Sequence, residues 1–210
     1  MVKRTLIAVL AIHMTMGSGC SPNPRSATPD DASVYIAAIE VLFARDTTVR
    51  RVALAEEPLS ISAGAVRRAA AEIPILAARD AAAPGVANEF VLSTHAPSAA
   101  DIQLRAKRVA TVASRANLVR LRAQADTDAK RAPQRYVTPV EPYWERFYRE
   151  YAPEKTLVRL APAAYVRDRQ RALVYVTFAC GALCGGSYWV LLDRVGGEWR
   201  VRHVQRGYVA

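Results

Sequence analysis

Residues 171–205 read RALVYVTFACGALCGGSYWVLLDRVGGEWRVRHVQ, and their period of two decides the fold. Arg171–Cys180 carries β-formers on both faces, the pattern of a strand buried in the middle of a sheet. Ser187–Arg194 continues in the same style. Gly196-Gly197 then supplies a two-residue hairpin turn, whose positions need φ > 0. Glu198–Gln205 alternates, with Trp199, Val201 and His203 on one side and Arg200 and Arg202 on the other. Upstream, Thr156–Val166 reads as one more strand, interrupted at Pro162, followed by a polar turn at Arg167–Gln170. The expectation is a four-stranded antiparallel meander.

Before the meander the period changes to that of helices. Thr138-x-x-Glu141 followed by Pro142 marks a helix start by capping-box and first-turn proline logic. That helix runs to Tyr151 and stops at Pro153. Tyr143, Trp144, Phe147, Tyr148 and Tyr151 share one broad face at i, i+4 spacing, the face a helix lays on a sheet, with stacking on a sugar or base as the other reading. Asp30 or Asp31 caps a helix over Ala32–Ala44, with Val34, Ala37, Ala38, Val41 and Leu42 on one side. Val49–Leu54 is a short strand, Ser62–Glu72 an Ala-rich helix ending near Pro74, and Ser98 caps a helix through Lys107. Residues 74–97 are weakly patterned, and Val109–Gln124 is helical or mixed. The fold class is therefore α+β, with N-terminal and middle helices packed on the C-terminal four-stranded antiparallel meander.

The 210 residues favour one domain. Of the 51% apolar fraction, 39 residues are Ala, so burial per residue is modest, and 13 of the 16 aromatics lie at or after Tyr136. The hard core belongs to residues 136–210, within a domain expected over 31–210.

Met1–Cys20 reads as an address. Lys3 and Arg4 form a positive start, Leu6–Met14 a short apolar run broken by His13, and Gly17, Ser18 and Gly19 lead into Cys20. The run falls short of the roughly 20 residues a membrane-spanning helix needs. The stretch resembles a bacterial lipoprotein signal, in which a small residue precedes a Cys that becomes the lipidated N-terminus. It departs in having Gly17 where that family prefers Leu; an ordinary secretory signal is the other reading. Residues 1–19 are then a signal peptide, and 20–30, with three Pro in SPNPRSATPD after Cys20, a lipid anchor and flexible tether. Ser21 after Cys20 points, by analogy, to the outer membrane facing the periplasm.

With Cys20 acylated, Cys180 and Cys184 remain as an even pair in an oxidising space. A three-residue loop places them opposite each other, about 5.5 Å between Cα atoms, which suits a disulfide. So short a ring contributes about 2 kcal/mol through chain entropy, so its role is to pin the hairpin register. A buried reduced pair and a redox-active pair are the alternatives, although redox motifs usually have two intervening residues and a helix N-terminus. Two sulfurs without a neighbouring His make too few ligands for a metal, and no cofactor is implied.

Several blocks together resemble a family of uncharacterised bacterial exported proteins. They are Trp144-Glu-Arg-Phe147-Tyr148, Ala172-Leu-Val-Tyr-Val, Cys180-Gly-Ala-Leu-Cys184-Gly, Trp189-Val-Leu-Leu and Gly197-Glu-Trp199-Arg-Val201. The resemblance covers mainly 141–210, with the helix at 32–44, and carries no catalytic assignment. The chain ends on Tyr208-Val-Ala, where such proteins often finish on Trp, a small β residue and Ser.

The net charge is +10, and loss of Lys3 and Arg4 with the leader lowers it by two. Much of the excess is local to 105–135, where Arg105, Lys107, Arg108, Arg115, Arg120 and Arg122 form the candidate anion-binding set. An envelope address makes anionic lipid headgroups or acidic glycans the expected partners, not nucleic acid. A solvated Arg-rich segment is the plainer alternative.

Catalytic signals are thin. His-Glu-x-x-His, Gly-x4-Gly-Lys, Gly-x-Gly-x-x-Gly and Ser-x-x-Lys are all absent, and Ser93-Thr94-His95 lacks the glycines of a nucleophile elbow. No catalytic residue is assigned. The expected protein is a lipid-anchored envelope binding or assembly module. The alternative is a periplasmic hydrolase with a cleft between the aromatic helix and the sheet, using His203 with a Glu.

Overall fold

A computed structural model describes residues 29–44, 49, 51–82, 85–94, 96–132, 134–136, 138 and 140–209. In chain order the helices are α1 (Pro29–Ala44), α2 (Ala63–Glu72), α3 (Pro74–Ala82), α4 (Ala99–Arg105), α5 (Arg115–Arg131) and α6 (Glu141–Glu150). The strands are β1 (Val52–Ala55), β2 (Val91–Leu92), β3 (Val109–Ala113), β4 (Leu157–Leu160), β5 (Ala164–Tyr165), β6 (Arg171–Gly181), β7 (Cys184–Val195) and β8 (Glu198–Val209).

The class is α+β, but the sheet has eight strands and not four. The expected meander is present as β4/β5, β6, β7 and β8, all antiparallel, with β4 and β5 on the same edge of β6 on either side of Pro162. Beyond β4 lie β1 and β3, both running parallel to their neighbours, and β2 lies against β5. Parallel pairing joins strands distant in sequence through crossovers, so local patterning carries no trace of it. β1 is buried at all four positions, as a strand inside a covered sheet must be. Residues 74–97 hold α3, a 3₁₀ turn at Val86–Glu89 and β2, while Val109–Gln124 divides into β3 and the start of α5.

Helices cover both faces of the sheet. On the first face, Val34, Tyr35, Ile39 and Phe43 of α1 and Ile102 of α4 pack on Leu54, Val158, Val174 and Leu192. The buried side of α1 is rotated from the expected one: Val41 is 43% exposed, and Tyr35 is buried with its hydroxyl accepting the Ala163 N–H at 2.8 Å. α1 begins at Pro29, which puts Asp30 and Asp31 inside its first turn, not at the cap. On the second face, α2 and α3 cover Leu173 and Leu191 at one end. α5 and α6 cover Ala53, Ala113 and Leu157 at the other. Between the two helix pairs a strip of this face stays uncovered.

The Ser98 cap forms as expected, and Ser62 and Ser114, not read as caps, take the same role. Ser62, Ser98 and Ser114 each cap a helix, their Oγ atoms accepting from Ala65, Asp101 and Asn117 N–H at 3.1, 3.1 and 3.2 Å. Gly196 and Gly197 take φ of 62° and 87°, as the two-residue hairpin requires. The capping box did not form. α6 starts after Val140, and the buried Thr138 hydroxyl has no hydrogen-bond partner; the Glu141 N–H donates to the Thr138 carbonyl at 3.2 Å.

One irregularity moves a residue of interest. Val201 pairs with Leu192 but His203 with Leu191, so Arg202 is the extra residue of a bulge. Facing residues in an antiparallel ladder share a side. His203 therefore lies on the Leu191 side, away from Trp199 and Val201.

Candidate functional site

Six arginine and lysine positions expected to act together are separated by the fold. Arg108 Nε pairs with Glu40 at 3.3 Å, and its Nη1 donates to the Val49 carbonyl at 3.0 Å, tying α1 to β3. Arg105 is in the last turn of α4 and Lys107 in the turn that follows, both exposed. Arg120 forms a two-pronged pair with Glu150 across the α5–α6 seam, where Arg146 also meets Asp128 at 2.6 Å. Arg115 and Arg122 face elsewhere. With Leu118 and Val119 they make a stripe at i, i+3, i+4 and i+7 on α5 that borders a cavity of about 600 Å³.

This cavity lies where a cleft was expected, between the aromatic helix and the sheet. Tyr143 and Trp144 of α6 form its second wall. Its floor is Leu157, Arg159, Thr177 and Ala179, with Tyr208 at the margin. Arg159 sits opposite Thr177 in the β4–β6 ladder and is exposed, with no carboxylate partner among the described residues. Arg115 and Arg122 pair at 3.4 and 3.6 Å with Glu57 and Asp126, exposed carboxylates outside the cavity lining. Such pairs contribute about 0–1 kcal/mol and yield readily to a better ligand. Arg159 went unread in the sequence, although a single charge in Leu157-Val-Arg-Leu160 is a visible break in an apolar strand.

Electrostatics favour a negative guest. Three arginines share the lining with aromatic and aliphatic side chains, two of them with their guanidinium groups on Glu57 and Asp126 at the rim, and no Asp, Glu, His or Cys lines the space among the described residues. Burial pushes the Tyr143 phenol above its ordinary value, and the positive charge of Arg159 pulls against that shift. His203 lies outside the lining, with Gln205 Oε1 3.4 Å from its Nε2.

Cys180 and Cys184 stand at disulfide distance, their Cα atoms 5.0 Å apart at the tip of the β6–β7 hairpin. The loop is Ala182-Leu183, not three residues. Cys184 pairs with Gly181, and Cys180 is the bulged residue. Cys184 is exposed, unlike the buried reduced pair of one alternative.

Cys20, the leader over 1–19, most of the tether and His95 lie outside the described residues. Among the described residues no helix is long and apolar enough to cross a membrane, and no group of three or more His, Cys, Asp or Glu is placed to hold a metal. Comparison with protein-family models, curated proteins and solved structures finds no match to this chain.

Proposed function

We propose that this chain is an exported binding protein of the bacterial cell envelope, lipid-anchored through Cys20 by the tether at 20–30, that holds an anionic ligand in the α5–α6 cavity without transforming it. The anchor rests on the leader Met1–Cys20 and its likeness to lipoprotein signals, with the outer membrane suggested by Ser21. The observation that supports the ligand class is that Arg115, Arg122 and Arg159 line one cavity in which, among the described residues, no Asp, Glu, His or Cys takes part. Guanidinium groups bind carboxylate and phosphate oxygens in pairs, and partial enclosure strengthens each bond relative to open water.

Two measurements test this reading. Calorimetric titration of the purified chain with an oligo-uronate and with phosphatidylglycerol vesicles should show binding of at least one, weakened by salt and lost on triple Arg→Gln substitution at 115, 122 and 159. Indifference of all anionic probes to that substitution removes the site. Metabolic labelling with a palmitate analogue should mark the chain and fail on Cys20→Ala; an unlabelled wild-type chain removes the anchor.

A further inference from the structure

We propose that the ligand of this cavity is an acidic saccharide: its charged group sits at Arg159 while a neighbouring sugar ring lies on the Tyr175–Trp189 pair. The inference rests on the anion-binding reading above and extends it along the uncovered strip of the second sheet face.

The strip is continuous with the cavity. Thr177 lines the arginine cavity, and Tyr175, two residues earlier on the same face of β6, lines a second hollow of about 490 Å³. Leu59 borders the first and Ser60 the second, with the Leu59 N–H anchored to the Leu160 carbonyl at 2.8 Å. The two spaces therefore abut along β6 and along the segment entering α2.

The second hollow has the chemistry of a sugar seat. Tyr175 and Trp189 face each other across the β6–β7 ladder, ring centroids 4.7 Å apart, both half-buried. Their planes are tilted by 40°, so each half-buried ring offers the C–H-rich face of a sugar its own apolar contact. Around them stand Ser60, Ser62, Arg68 and Glu72, all able to exchange hydrogen bonds with hydroxyl groups. All four are exposed at the rim, a polar border that matches the hydroxyl groups of a sugar better than an acyl chain, and a bare phosphate would leave the rings unused. A saccharide carrying negative charge satisfies the rings, the hydroxyl-matching side chains and the guanidinium groups together.

The full chain is titrated calorimetrically with a short oligo-uronate, its neutral hexose counterpart, inorganic phosphate and phosphatidylglycerol vesicles. The oligo-uronate is expected to bind at least about tenfold more tightly than the neutral oligomer and than phosphate, with no comparable uptake on vesicles. Arg159→Gln, at an exposed position, should weaken it about tenfold, the scale of one lost charge-assisted bond. Trp189→Ala should weaken it by a similar factor, and Trp189→Phe, which keeps a ring and guards against misfolding, by much less. Binding should also shift tryptophan emission in the wild type, and the shift should shrink in Trp189→Phe to what Trp144 of the cavity wall contributes. Equal affinity for the neutral oligomer overturns the acidic group and with it the anion reading, and indifference of oligo-uronate binding to Trp189→Ala overturns the sugar seat. Binding confined to vesicles or phosphate but dependent on the three arginines overturns the saccharide and leaves the anion cavity standing. If no probe binds, both readings fall.

Discussion

The Tyr148 hydroxyl donates a hydrogen bond to the Cys180 carbonyl oxygen, fastening the aromatic helix α6 to the tip of the β6–β7 hairpin. The fit is close, for a Cβ on Gly181 would come within 3.2 Å of the Tyr148 oxygen, at a φ of 146° that side chains rarely adopt. Tyr148→Phe should cost about 1 kcal/mol in stability, the net value of one such bond. Gly181→Ala should cost more, because strain adds to the clash. Chemical denaturation of both variants checks the order; Gly181→Ala proving the milder would show that the contact is loose.

The hairpin cysteines act on the same contact. In protein recovered from an oxidising compartment, Cys180 and Cys184 should resist alkylation until reductant is added. Replacing both by Ser should lower stability by about 2 kcal/mol, the loop-entropy value for so short a ring. Free thiols in the untreated protein would refute the bridge and, with it, much of the case for export.

Arg108 and Arg122 carry the same charge and should behave oppositely on mutation. Arg108 is partly buried against Glu40 and the Val49 carbonyl, so Arg108→Gln should destabilise the fold by about 1–2 kcal/mol and leave oligo-uronate binding alone. Arg122 is exposed beside the cavity and, among the described residues, paired with Asp126, four residues along the helix. Arg122→Gln should leave the melting temperature nearly unchanged and weaken anion binding several-fold. Thermal denaturation paired with calorimetry separates the two outcomes.

Tyrosine titration gives a pH test. Burial raises the phenols of Tyr143, Tyr148 and Tyr151 above the ordinary value of 10.0. At pH above 10 the unfolded chain releases these protons before the folded one does. Stability from the neutral phenols is thus complete below that value and lost as pH rises through the folded values. Absorbance titration should find part of the nine tyrosines ionising late, and the melting temperature falling in the same range. A single unshifted transition for all nine would contradict the burial of α6.

The aromatic helix and the last strands were legible because their signals are local. Alternation, Gly196-Gly197 and the 143/147/151 spacing each act within a few residues, where backbone geometry leaves little choice. Thr138 shows the limit of such reasoning. Its spacing to Glu141 matches a capping box, yet the approach to α6 turns through Val140 and leaves the hydroxyl unpaired. His203 shows another. Perfect alternation from Trp199 put it on one side, and a single bulge at Arg202 moved it to the other.

The sequence by itself determined the Ser98 cap, the aromatic face of α6 and the antiparallel ending, all consequences of short-range pattern and turn chemistry. Only the tertiary structure decided that β1 and β3 extend the sheet in parallel, and that Arg159, invisible in any basic cluster, lines one cavity with Arg115 and Arg122. The physical reason is distance along the chain. A side chain from a strand and a stripe from a helix 37 residues earlier, Arg122 to Arg159, share a cavity only after hydrophobic burial has set α5 and α6 on the sheet.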